Sequence, residues 1–137
     1  MGTRSLTHIK DGDIVLTTIY QQYDGYLAGV GRDIAKICEG MKIVNGIPGG
    51  SNAVKLANGA GCFAAQLISK LKQDVGGVYI YPANSKDCGE EYTYTISIVV
   101  GAPIEIECHR GYLDENMELI FKGTPEELLK LEEKEDN

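Results

Sequence analysis

The stretch Tyr20 to Asp33, Tyr-Gln-Gln-Tyr-Asp-Gly-Tyr-Leu-Ala-Gly-Val-Gly-Arg-Asp, constrains this chain more than any other. Before it, Ile14 to Ile19 is apolar and β-branched, the pattern of an extended strand. After it, Leu27, Val30, Ile34, Ile37, Cys38 and Met41 recur at helical spacing, with Arg32, Asp33, Lys36 and Glu39 on the other side. Asp24-Gly25 is therefore the turn that sends the chain from sheet to helix. Tyr20, Tyr23 and Tyr26 lie close to that corner, where phenol rings stack while their hydroxyls stay wet. Two readings follow. In one, Tyr and Asp only stiffen the turn; in the other, Tyr23, Asp24, Tyr26 and Arg32 face a ligand, as loop residues on a rigid scaffold commonly do.

At 137 residues the chain has the length of one domain with a real core, and 43% hydrophobic residues set it apart from disordered proteins. The formal net charge of −7 argues against nonspecific binding to nucleic acid or to anionic membranes. No apolar run approaches the roughly 18 residues of a membrane span, and Met1 to Thr7 lacks a signal-peptide core, so the expected location is cytoplasmic. Cys38, Cys62, Cys88 and Cys108 are too widely spread for a close-paired zinc pattern and read as free thiols.

Along the chain, Arg4 to Ile9 pairs with Asp13 to Tyr20 in a hairpin across Lys10-Asp11-Gly12, and a helix from Leu27 ends at Gly40. Residues 42 to 61 form a long connection, with turns at Asn45-Gly46 and Pro48-Gly49-Gly50 and a short helical turn from Ser51 to Leu56. A second helix runs from Ala60 to Lys72 or Gln73, with Ala60, Ala64, Leu67, Ile68 and Leu71 as its apolar stripe. Val78 to Tyr81, Tyr92 to Val100, Ile104 to His109 and Met117 to Phe121 read as strands; Tyr112-Leu113 continues the third, and Asp114-Glu115-Asn116 turns into the fourth. Thr124-Pro125-Glu126-Glu127 spells a capping box for a helix from Glu126 to about Glu133. The expected fold is α+β: a two-layer antiparallel sheet of five or six strands, two central helices on one face and a C-terminal helix. Residues 1–131 form one domain, and 132–137 an acidic, frayed tail. The sheet's second face, rich in Tyr, Thr and Ser, is either wet or covered by another subunit, and a homo-oligomer is expected.

Three groups of residues have chemical potential. Asn58, Gly59 and Gly61 open the second helix, whose free amide hydrogens suit a phosphate or carboxylate, although neither a Walker loop nor a dinucleotide fingerprint is spelled. Cys62 lies in that first helical turn, and as a nucleophile it needs His8 or His109 as its base. Glu105, Glu107 and His109 alternate along one strand face, about 7 Å apart, too far to share a metal unaided; no metal or cofactor is expected. The rim of Tyr20, Tyr23, Asp24, Tyr26 and Arg32, joined to the glycine-rich loop, suits a small anionic or nucleotide-like ligand, and equally a protein interface. Catalytic residues are not assigned.

Tyr23 to Arg32, with Gly2-Thr3-Arg4-Ser5-Leu6-Thr7 before it, resembles a family of small uncharacterised bacteriophage and bacterial proteins. These have an N-terminal hairpin, an aromatic-Asp-Gly-Tyr segment and a glycine-bounded helix start. Leu27 stands where that pattern has proline. The resemblance implies a viral or mobile-element origin and hence the host cytoplasm, and it carries no catalytic residues. The expectation is a phage-encoded, noncatalytic protein binding a small anionic or nucleotide-like ligand. The alternatives are an inhibitor or adaptor that binds a host protein and a small hydrolase using Cys62 or His109.

Overall fold

The computed structural model describes residues 2–46, 55–111 and 117–135. The alternating N-terminal residues form a hairpin of β1 (Ser5–Asp11) and β2 (Ile14–Gln21), which turns at Gly12 with φ +61°. The expected helix at Leu27 is two elements: a π-helical turn, Leu27–Gly31, and α1, Arg32–Cys38. The wider first turn is closed by the Arg32 N–H, which reaches back five residues to the Leu27 carbonyl. Gly40, at φ +73°, follows the end of α1.

Two strands were not expected inside the long connection. β3 (Lys42–Val44) and β4 (Leu56–Asn58) pair in parallel as a separate small sheet, which leads directly into α2 (Gly59–Leu71). Leu56 is thus strand rather than the end of a helical turn. The turn at Pro48-Gly49-Gly50, the cap at Ser51 and the segment Tyr112 to Asn116 lie outside the described residues. The remaining elements are β5 (Val78–Tyr81), β6 (Tyr92–Ile98), β7 (Glu105–Arg110), β8 (Glu118–Gly123) and α3 (Pro125–Glu135).

The main sheet has six strands in the order β5-β2-β1-β6-β7-β8. It is mixed rather than wholly antiparallel, because β1 and β6 run parallel, with Thr7 beside Tyr94 and Ile9 beside Ile96. β5 is antiparallel to β2, which is antiparallel to β1, so β5 and β6 point the same way. Their connection, residues 82–91, must therefore cross the sheet, and it does so without a helix. The Asn84 N–H bonds Thr18 Oγ1 at 3.1 Å and the Glu91 N–H bonds the Arg4 carbonyl at 2.9 Å, which lays this segment over β2 and β1.

Side chains opposite one another across a ladder share a face, so the registers sort the sheet into two sides. Ile9, Ile19, Tyr94, Ile96, Ile98, Ile106 and Cys108 are buried in one cluster with Val30, Ile34, Ala60, Phe63, Leu67 and Leu128 from the helices. Each such aliphatic or aromatic side chain contributes roughly 1.5–3 kcal/mol by leaving water. Phe63 joins the α2 stripe read from the sequence, and Ile68 and Leu71 sit at its half-buried margin. On the other face, Leu6, Thr18 and Tyr20 are also buried, and Tyr20 stacks on Tyr81 at 4.8 Å between ring centroids. Tyr20 therefore belongs to the sheet and not to a rim with Tyr23 and Tyr26.

α3 packs chiefly on α1, with Leu128 fully buried. Its capping box forms as spelled: the Glu127 N–H donates to Thr124 Oγ1 at 3.2 Å, and the Thr124 N–H donates to Glu127 Oε1 at 2.9 Å. The Thr124 backbone bond, followed by the hydroxyl, holds the Glu127 carboxyl below its ordinary 4.5. A lowered carboxylate stabilises the fold above its ordinary pKa and loses that contribution as pH falls through the folded value. Thr124→Ala is expected to cost about 1 kcal/mol in urea denaturation at neutral pH. In Glu127→Gln the acid-induced part of the stability loss should shrink; an unchanged pH profile would show that the box does not form.

Candidate functional site

The corner is built by short backbone contacts that glycine alone permits. Gln22 N–H bonds the Gly77 carbonyl at 3.0 Å and its Oε1 accepts the Gly77 N–H at 3.2 Å, so the chain leaving β2 is stitched to the segment before β5. Gly25 N–H bonds the Thr3 carbonyl at 2.9 Å, and a Cβ on Gly25 would stand 2.9 Å from that of Ser5. A Cβ on Gly29 would strike the Asp24 carbonyl. Between these contacts Asp24 takes φ +56°, a left-handed conformation that aspartate tolerates better than most residues.

Tyr94 supports the corner from below. Its hydroxyl, on the central strand β6, donates to the Gly25 carbonyl at 2.8 Å inside the core. Burial, ahead of the neighbouring Cys108, pushes that phenol well above its ordinary value, so it remains a donor. Nearby strand residues Ser5, Thr7 and Gln21 bury side-chain oxygens that have no hydrogen-bond partner among the described residues.

What the corner displays is a cleft of about 540 Å³ lined by Gly2, Arg4, Gln22, Tyr23 and Asp24. Tyr23 is 61% exposed and also borders a second cleft of about 170 Å³, formed with Gln21, Leu71, Gln73, Asp74 and Gly77 among others. Tyr26 does not line the larger cleft; its hydroxyl donates to Asp24 Oδ1 at 3.0 Å and holds the carboxylate in place. That bond, and then the carboxylate's charge, raises the Tyr26 phenol. Arg32 is half-buried at the start of α1, outside the cleft lining. Its neighbour Asp33 is raised, first by burial, with Asp24 adding to the rise and Lys36 and Arg32 opposing it.

Asn58, Gly59 and Gly61 do not join this surface. They open α2, whereas Tyr23 borders a cleft with Leu71 at the other end of that helix. Thirteen helical residues span about 20 Å, too far for one small molecule to be held jointly. β3 also meets the far end of the main sheet, where the Gly101 N–H bonds the Ile43 carbonyl at 3.1 Å. Asn58 instead braces the small sheet, its Oδ1 accepting the Gly46 N–H at 2.7 Å, and Gly59 takes φ +79° at the strand-to-helix turn.

The alternative catalytic groups are separated as well. Cys62 lies on α2, on the helix side of the sheet, and its sulfur accepts from Gln66 Nε2 at 3.3 Å. His8 and His109 stand opposite Thr18 and Thr93 on the other face, so the sheet lies between the thiol and both imidazoles. Glu107, opposite Thr95 on that same face, pairs with Lys122 at 3.4 Å. Burial pushes the Cys38 and Cys108 thiols up to about 12. No group of three His, Cys, Asp or Glu with metal-binding geometry exists among the described residues.

Gly2, Arg4 and Gln22 are the cleft residues that sequence reading missed. Arg4 precedes β1 and reaches the corner only through the hairpin register, which no local pattern encodes. Comparison with protein-family models, curated proteins and solved structures gave no match for this chain.

Tyr94→Phe should leave the Gly25 carbonyl buried without its donor and cost about 1–3 kcal/mol in denaturant unfolding. Hydrogen exchange of the Gly25 and Val30 amides should rise with it; a variant as stable as wild type would remove Tyr94 as the support of the corner.

Proposed function

We propose that this is a noncatalytic binding protein that takes a small, anionic, nucleotide-like ligand in the corner cleft. One observation carries the reading: an exposed aromatic ring, a guanidinium-bearing residue and a carboxylate line one concave space, at Tyr23, Arg4 and Asp24. The ring offers a stacking surface for a planar base. Arg4 supplies the fork of donors that suits a phosphate, and Asp24 accepts from ring N–H or sugar hydroxyl groups. The cleft volume of about 540 Å³ lies within the range usual for small-molecule sites.

The left-handed Asp24 adds to this support. A non-glycine residue held at φ +56° costs energy, and such positions concentrate where a side chain must be aimed. Tyr26 and the Val30 amide hold it there. The phage-like stretch is the same one that forms this wall, consistent with a phage-encoded protein whose ligand belongs to the host cell.

Isothermal titration of the full chain with nucleoside 5′-monophosphates is expected to show binding that weakens as salt rises. Tyr23→Ala should cost about 1–3 kcal/mol of that binding through lost stacking. Arg4→Gln should weaken phosphorylated ligands but not the free nucleosides. Wild-type affinity in folded Tyr23→Ala and Asp24→Ala proteins would exclude the cleft, and capture of a host polypeptide through Tyr23 and Tyr26 would favour the adaptor reading.

A further inference from the structure

A third cleft, of about 480 Å³, lies between α1 and α2 and gathers Lys36, Lys55 and Lys70 at its walls. Half-buried Ile37 and Met41 supply apolar surface beside them, and Ser69 adds a hydroxyl. We propose that this cleft is an anion site for a small phosphate monoester with an apolar body, independent of the corner cleft.

The charge arrangement carries the proposal. The chain has a formal net charge of −7 and only 13 lysine and arginine residues, yet three lysines meet here. Among the described residues, none of the three ammonium groups lies within ion-pair distance of a carboxylate. Asp33 is electrostatically coupled to Lys36 but does not pair with it. Three cationic side chains around one concave space, none paired with a carboxylate, give it a positive potential that favours an anion.

Lys55 is preset for the task. Its Nζ donates to the carbonyls of Lys36 and Ile37 at 3.2 and 3.3 Å, near the C-terminal end of α1. An ammonium has three donors, so one remains for a ligand. Gln66 contributes a wall and not a contact, because its Nε2 already donates to the Leu56 carbonyl at 2.9 Å and to Cys62 Sγ at 3.3 Å. Lysine binds as a compact point charge, so the charge of the ligand selects here, and a phosphate dianion is favoured over a single carboxylate. The contact offered by Ile37 and Met41 favours an ester carrying a hydrocarbon or ring over inorganic phosphate.

The test is isothermal titration of the full chain with phenyl phosphate, inorganic phosphate and phenol, followed by ¹⁵N chemical-shift mapping. Phenyl phosphate should bind about tenfold or more tightly than inorganic phosphate, and phenol should not bind measurably. Shifts should centre on residues 36–41 and 66–70. Lys36→Gln/Lys70→Gln, which keeps the Lys55 bonds to α1, should weaken phenyl phosphate about tenfold or more while its circular dichroism stays that of wild type. Undiminished binding by that folded variant, shifts centred on residues 22–24, or no heat with either phosphate would overturn the proposal.

Discussion

The hydrogen bond from Tyr94 to the Gly25 carbonyl, 2.8 Å long and buried, is the constraint on which the corner after β2 depends. It joins positions 69 residues apart, and so couples the turn after β2 to the middle of the sheet. The three glycines around it carry complementary duties: Gly25 lies against Ser5, Gly29 under the Asp24 carbonyl, and Gly31 against the Tyr94 ring. With the backbone pinned on its inner side, Tyr23 and Asp24 have only the outer side to occupy. A stranded carbonyl at Gly25 would cost as much as several surface contacts contribute.

The crossover at residues 82–91 is the second organising feature. Running outside the sheet, it buries Leu6 and Thr18 on a face that the helices cannot reach. His8 shares in this packing, its Nδ1 at 2.7 Å from Thr18 Oγ1, and burial lowers the imidazole against the opposing pull of Glu90. Glu90 is itself buried and accepts from the Cys88 and Asp87 amides at 2.7 and 3.2 Å, which folds the crossover upon itself. The crossover thereby covers β2 and β1 around Thr18 and Leu6 on the outer face, while Tyr79 of β5 stays 41% exposed. Glu105, Glu107 and His109 stand on the β6–β7 side, opposite Ser97, Thr95 and Thr93.

The sheet also divides the chemistry of the chain. Both imidazoles and the paired glutamates are on one side, while Cys62 and the cationic cleft are on the other. A strand's alternation determines such a partition absolutely, because a side chain cannot change face without a change of register. Binding by displayed groups is compatible with this layout, whereas a pair between Cys62 and either histidine is not.

Local pattern alone determined the six strands of the main sheet, the two longer helices, the capping box at Thr124 and the corner at Asp24-Gly25, since each depends on neighbours within a few residues. Phe63 could have been read from its spacing to Ala60 and Leu67. The parallel pairing of β1 with β6 could not be read, because alternation is identical for either strand direction. The small β3–β4 sheet was hidden for a related reason: three-residue strands leave no periodicity to detect. Tertiary structure decided which residues meet: it placed Arg4 and Gln22 beside Tyr23, withdrew Tyr20 into the sheet, and set Asn58, Gly59 and Gly61 a helix length away. Residue type declares what a side chain is able to bind, but only the register of distant strands and the length of α2 determine what it stands next to.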